Sequence, residues 1–211
     1  GGGPVISLSK PSVSPNASTA VHAGASYLFG FQRDNGFFAE FRYGGGGYVP
    51  QLKLGVGWSV QDSLYFSAAQ YKKTFGVDVS LRSPPIKTAL DLGVMVAGGT
   101  DAHRVSSYNP FVSLRWYLDG KAIDGVTTIG ENEHPTRAQA LRMYTINSAW
   151  FAHDDGKRGS LEAGKYADLA VLTKDYMTAP IEEISGIESM LTMVGGKIVY
   201  GAGPFAGLEG K

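Results

Sequence analysis

The stretch that most restricts the fold is Val94-Met95-Val96-Ala97-Gly98-Gly99-Thr100-Asp101-Ala102-His103-Arg104. Four apolar residues, two of them β-branched valines, predict a short buried strand. Two glycines then permit a tight turn, and an acid follows at once. A buried parallel strand that ends this way leaves Asp101 at the carboxyl-terminal mouth of a sheet, where β/α folds place their active sites. A carboxylate there ligates a metal or takes a proton from water. The plainer alternative is that Asp101 caps a loop or a helix start. His103 either donates to a substrate or to Asp101, or is a solvent-facing loop histidine. Arg104 either clamps a substrate carboxylate through a bidentate pair or is an ordinary surface arginine. Tyr108 and Asn109 follow, where they would shape the same pocket.

The segments around this stretch have their own periods. Over residues 62–76, Leu64, Ala68, Tyr71 and Phe75 fall at helical spacing, with Asp62 or Ser63 as cap and Gly76 as stop. Pro84-Pro85 opens a second helix, 86–92, closed by Gly93. Pro110 opens a third, 111–119, with Phe111, Leu114, Tyr117 and Leu118 on its apolar face. A fourth runs from Thr136 to Phe151, with Thr136 as cap and Ala140, Leu141, Tyr144, Ile146 and Ala149 as its buried stripe. Asn147 and Ser148 inside it are expected to make packing or capping hydrogen bonds. Residues 156–165 are a turn-rich connector, and residues 167–172 are a buried strand. Residues 187–194 and 197–200 form a hairpin around Gly195-Gly196.

In order, these motifs resemble the C-terminal third of the metal-dependent amidohydrolases. They run from Ser83-Pro84-Pro85 through Gly98-Gly99-Thr100-Asp101, Tyr108-Asn109-Pro110, Thr145-Ile146-Asn147-Ser148-Ala149 and Gly159-Ser160-Leu161 to Ala167-Asp168-Leu169-Ala170-Val171-Leu172 and Gly195-Gly196-Lys197. The resemblance covers about residues 64–205 and is closest to the branch with exoenzyme-like and imidazolonepropionase-like members. It implies hydrolysis of C–N bonds in amides or cyclic amides by a metal-activated water. In that family a His-x-His pair, a Lys or carboxylate and two further His hold one or two divalent ions, zinc foremost. The last-strand Asp ligates the metal and shuttles the proton, the role that falls to Asp101. His103, Arg104, Tyr108 and Asn109 would then face the substrate. The resemblance makes Asp168 part of a β-sandwich rather than of the mouth.

Only Asp101 matches a ligand role. The sequence contains no His-x-His and no His-x-x-x-His, so the site is incomplete in this chain. The missing ligands would come from an N-terminal portion of the barrel or from another copy in a homo-oligomer.

The N-terminal part has another character. Residues 1–17 are rich in Ser, Pro and Gly and are expected to be linker, with Val5 to Leu8 as an edge strand. Between 18 and 60, three runs alternate with period two: Val21 to Phe31, Phe37 to Tyr43 and Leu52 to Val60. Arg33-Asp34-Asn35-Gly36 supplies a hairpin turn and Gly44-Gly45-Gly46-Gly47 a looser one. The expected product is an antiparallel meander. It resembles strands of a bacterial outer-membrane β-barrel, or it is a soluble sheet packed by one face.

Composition narrows the classes. The 211 residues carry 19 basic and 19 acidic side chains, so no basic footprint argues for nucleic acid. No cysteine is present, which excludes disulfides, zinc–thiolate sites and thiol nucleophiles. No apolar run approaches the ~20 residues of a membrane helix, and a membrane partner is not expected. Gly1-Gly2-Gly3-Pro4 has neither a charged region nor an apolar core, so no signal peptide is expected there. The absence of an initial Met is what a trimmed or excerpted chain would show.

The expected fold is therefore α/β: a partial β/α (TIM-type) barrel with a β-sandwich tail and an antiparallel β-rich N-terminal segment. The expected boundaries are 1–62, 63–158 and 159–211. A whole barrel takes ~250 residues, so eight strands do not fit. Two functions follow: an amidohydrolase carrying the C-terminal part of its site, with a small-molecule amide as substrate, or a catalytically silent, envelope-associated interaction module. The compartment, bacterial cytoplasm or envelope, is left open.

Overall fold

The computed structural model describes the backbone of residues 5–8, 26–32, 37–44 and 51–56, and backbone with side chains for 57–101 and 106–210. The chain divides into two units, 1–59 and 60–211.

The first unit is an antiparallel meander of β1 (Val5–Leu8), β2 (Ser26–Gln32), β3 (Phe37–Gly44) and β4 (Gln51–Gln61), ordered β1-β2-β3-β4. Its register follows the period-two pattern. Phe29 stands opposite Phe41, and Phe41 opposite Leu54; Tyr27 pairs with Tyr43, and Tyr43 with Leu52. Apolar positions thus stand opposite one another in the register. The expected linker at 1–4 and 9–17, the start of the first run from Val21 to Ala25 and the turns at 33–36 and 45–47 lie outside the described residues.

The second unit begins with the last two residues of β4, Val60 and Gln61. Helices α1 (Leu64–Phe75), α2 (Val77–Leu81) and α3 (Ile86–Asp91) lead to strand β5 (Met95–Gly99). Helices α4 (Pro110–Asp119), α5 (Arg137–Tyr144) and α6 (Ile146–Phe151) follow. The chain then forms a separate sheet of β6 (Leu169–Leu172), β7 (Ser189–Val194) and β8 (Lys197–Gly201), all antiparallel. Among the described residues no helix is long and apolar enough to cross a membrane.

Four details depart from the sequence expectation. Asp62 does not cap α1, and the Ser63 N-cap makes no side-chain capping bond. Asp62 is instead wholly buried, where it accepts from hydroxyls distant in sequence. Phe75 is 55% exposed, its ring tilted against Tyr71 at the end of α1 rather than inserted in a core. The helix expected over 136–151 breaks at Thr145, whose φ of −120° and ψ of −101° separate α5 from α6. Helix α2 has no counterpart in the periodicity.

The core between the α4–α5 helices and the tail comprises Leu114, Leu118, Ala140, Tyr176, Ile184 and Ile187. Arg137, on the first turn of α5, donates from both terminal nitrogens to the carbonyls of Tyr176 and Ala179. These charge-assisted bonds tie the helix to the 176–179 segment that precedes the 3₁₀ turn Ile181–Gly186. Helix α4 ends at Gly120, whose φ of +63° is left-handed. A Cβ there would collide with the Ile129 carbonyl and approach His134 Nε2 to 2.9 Å. Trp116 Nε1 donates to Thr128 Oγ1 at 3.0 Å and closes the same corner.

The start of α5 follows its sequence signature. Thr136 Oγ1 accepts from the Gln139 amide at 3.2 Å, and the Gln139 side chain returns to the Thr136 amide at 2.9 Å. This reciprocal cap satisfies donors that the helix cannot use. Thr136→Ala is expected to lower the unfolding free energy by about 1 kcal/mol, whereas Thr136→Ser keeps most of it; urea unfolding monitored by Trp fluorescence distinguishes them.

Candidate active site

Strand β5 is positioned from behind by α5 and α6. Val96 and Ala97 are buried, and Asn147 Nδ2 donates to the Val96 carbonyl at 2.8 Å. Asn147 thus makes the packing hydrogen bond expected of it, and Ser148 donates to the Met143 carbonyl at 2.6 Å. Gly98 lies against the ring of Tyr144: a Cβ would collide with Cε2 and stand 2.8 Å from Cδ2. The strand can approach α5 this closely only because residue 98 has no side chain.

Two residues past the strand, Asp101 is exposed, with φ at +50°. Left-handed backbone is uncommon for a side chain other than Gly, and Asp is among the residues that tolerate it. Such conformations persist where surrounding structure imposes them, and they gather at functional sites. His103 and Arg104 lie outside the described residues.

Tyr108 is 83% exposed. Asn109 is the N-cap of α4: Oδ1 accepts from the Phe111 amide at 2.9 Å, while Nδ2 donates to the Ser185 carbonyl at 3.2 Å. Both ends of its amide are therefore engaged in holding α4. Tyr108 and Asn109 line an open, largely apolar cleft of about 1230 Å³ between the α4–α6 helices and the tail sheet. Leu141, Tyr144, Leu169 and Ile187 line it as well. Asp101 does not. The structure brings Tyr108 and Asn109 together and leaves Asp101 apart from that cleft.

The other titratable candidates have structural partners. Asp168 Oδ1 accepts from the Gly195 amide at 2.7 Å, which secures the β7–β8 turn. His134 Nε2 meets the Ile129 carbonyl at 3.0 Å. His153 has a left-handed φ of +63° at the end of α6, and His22 is outside the described residues. Among the described residues no three His, Asp or Glu side chains converge as a metal-holding group. Asp101 offers one exposed carboxylate, so the described residues do not by themselves fit a catalytic zinc, which takes three protein ligands.

Sequence reasoning missed a buried polar cluster behind β5. Asp62 is 0% exposed, and its Oδ2 accepts from Ser106 Oγ at 2.6 Å and from Ser113 Oγ. Its Oδ1 and the Tyr144 hydroxyl are buried without a hydrogen-bond partner. Burial pushes the Asp62 carboxyl above its usual range, and the two serine hydroxyls oppose that shift. Burial likewise drives the Tyr144 phenol up to about 12, with Asp62 adding to the effect. The Tyr117 hydroxyl donates to the Val60 carbonyl at 3.2 Å and is pushed up for the same reason. The only local sign was an acid directly after a period-two run. Its partners stand 44 and 51 residues away, beyond any spacing rule.

With this geometry established, comparison with known proteins gives the class. A family model described as the amidohydrolase family matches residues 50–200, and the chain belongs to that family. It is 33% identical over 116 residues to N-substituted formamide deformylase from Arthrobacter pascens, a match covering 55% of this chain and 21% of that protein. A Bacillus subtilis (strain 168) protein named as an amidohydrolase is 27% identical over 116 residues, covering 54% of this chain and 22% of its own length. A Nematostella vectensis protein named as an imidazolonepropionase is 29% identical over 122 residues, covering 57% and 26%. The chain thus spans about a quarter or less of the curated relatives it matches.

The Gly98–Tyr144 contact makes a direct test. Gly98→Ala is expected to destabilise the fold by about 1–3 kcal/mol through overpacking. In a double-mutant cycle with Tyr144→Leu, the combined loss should be smaller than the sum of the single losses. Additive losses in urea unfolding would mean that the ring does not restrict residue 98.

Proposed function

We propose that this chain carries the C-terminal part of an amidohydrolase site, and that the whole protein hydrolyses C–N bonds of amides or cyclic amides with a metal-activated water. The observation that carries this reading is Asp101: an exposed carboxylate on left-handed backbone, two residues beyond a strand fixed by Tyr144 and Asn147, inside the segment matched to the family. In this reading Asp101 ligates the divalent ion, zinc by resemblance, and accepts the proton. His103 and Arg104 take the substrate side, with Tyr108 and Asn109 at its border. The succession α3, β5, α4, α5 and α6 would be the last part of a TIM-type barrel, with β6–β8 belonging to a sandwich.

The similarity to N-substituted formamide deformylase makes N-substituted formamides the first substrates to try, followed by N-acyl amino acids and cyclic amides. The branch with exoenzyme-like and imidazolonepropionase-like members is supported in part by the Nematostella relative. The remaining ligands would come from further barrel strands, in the same protein or in a partner copy. A second reading, a catalytically silent module, draws on the lack of a three-ligand group among the described residues.

Two measurements separate these readings. Purified with zinc, the 211-residue chain alone is expected to hold the ion no tighter than about micromolar and to show no turnover. Asp101→Asn should leave its stability nearly unchanged. Transplanted in place of the matching segment of the Arthrobacter deformylase, the chain should support zinc loading and turnover, and Asp101→Asn should abolish turnover. A zinc-loaded transplant whose activity is the same with and without the Asp101→Asn substitution contradicts the role given to this residue. A zinc-loaded but inactive transplant favours the silent module.

A further inference from the structure

We propose that Asp62 is a positioning residue for the Asp101 site: its carboxylate holds Ser106 against α4 and so anchors the far end of the segment that starts at Asp101. The proposal rests on the reading of Asp101 as the site carboxylate. Asp62 directly follows β4 and is wholly buried. Its Oδ2 accepts from Ser106 Oγ at 2.6 Å and from Ser113 Oγ. Ser106 and Ser113 are buried as well. Two hydroxyls thus converge on one oxygen, one from the end of the 101–106 segment and one from α4.

The bonds on either side show what this oxygen adds. Strand β5, from which the segment leaves, is held by Asn147 at the Val96 carbonyl and by the fit of Gly98 on the Tyr144 ring. Beyond the segment, Ser107 Oγ accepts from the Asn109 amide at 3.1 Å, and Asn109 caps α4 and donates to the Ser185 carbonyl. Those bonds set where α4 begins. The Ser106–Asp62 bond joins the same end to the residue after β4, 44 positions earlier in the chain. Residues 101–106 are thereby anchored at both ends to elements outside the segment. Anchored ends remove conformational freedom that a free loop keeps. The segment includes His103 and Arg104, which take the substrate side in the proposed function.

Geometry rather than charge is what Asp62 contributes. Burying a carboxylate carries a desolvation cost, and burial accordingly raises the Asp62 carboxyl while the two serine hydroxyls oppose the shift. An apolar side chain avoids that cost but offers no acceptor for the two hydroxyls. Asn is neutral and keeps an acceptor oxygen. Asp62→Asn should therefore preserve the anchor, and Asp62→Ala should remove it.

Ser106→Ala and Ser113→Ala make a matched pair, because each deletes one hydroxyl from the same oxygen. Amide hydrogen exchange of the full chain, read by mass spectrometry well below the melting point, tests the anchor without metal or substrate. Ser106→Ala and Asp62→Ala should speed exchange in the peptide covering 100–108 by roughly tenfold or more. Ser113→Ala and Asp62→Asn should leave that peptide close to wild type. If Asp62→Ala does not fold, Ser106→Ala decides alone. Equal acceleration in the two serine variants overturns the proposal, as does wild-type exchange there at the rate of an unstructured peptide. The consequence for the site is read in the Arthrobacter transplant at equal zinc content. There Ser106→Ala should lower kcat/KM by roughly tenfold more than Ser113→Ala, and Asp62→Asn should retain most of it. Equal losses in the two serine variants overturn the positioning role. Turnover that survives Asp101→Asn overturns the reading of Asp101 and the positioning role with it, and leaves the exchange result as a property of the fold.

Discussion

The contact between Gly98 and the Tyr144 ring fixes the part of this molecule that matters most. It brings β5 against α5 closely enough that no side chain fits at 98. Asn147, one turn further along the helical segment, holds the carbonyl of Val96. Two elements distant in sequence thereby set both the depth and the direction of the strand. Asp101 emerges just beyond the end of that strand, on left-handed backbone.

The same Tyr144 has three neighbours with different demands. Its ring packs on β5, it lines the cleft toward the tail sheet, and its hydroxyl sits beside Ser113 and the buried Asp62. The break between α5 and α6 at Thr145 directly follows it. A continuous helix would carry the next turn in another direction; the break re-aims Asn147 toward β5 and puts Ser148 against the cleft. The local irregularity and the position of the strand belong to one arrangement.

Much of this was legible in the sequence where the signal is local. The glycine pair before Asp101, the Pro that opens α4, the cap at Thr136 and the Gly195-Gly196 turn all act within a few residues, and the elements they bound start or turn close to where the pattern put them. The order of motifs carried the family, and the match over 50–200 accords with it. What was not legible depends on contacts at long range. Asp62 reads locally as a helix cap, yet Ser106 and Ser113 claim its carboxylate. Asn109 lines the cleft, but that its one amide holds both the first turn of α4 and the Ser185 carbonyl, 76 residues away, had no local sign. Thr145 carries no Pro or Gly to announce a break. Periodicity also placed Phe75 in the same stripe as the buried Ala68, yet at the helix end Phe75 is left exposed.

Everything said of function rests on Asp101 being the carboxylate that this chain contributes to a metal-dependent hydrolase. Crystals of the zinc-soaked protein, measured at the zinc absorption edge, probe that role without passing through activity. An anomalous peak is expected within coordination distance, about 2.0–2.2 Å, of an Asp101 carboxylate oxygen, and it should be absent in Asp101→Asn. A well-occupied zinc elsewhere, with none at Asp101, would contradict that role.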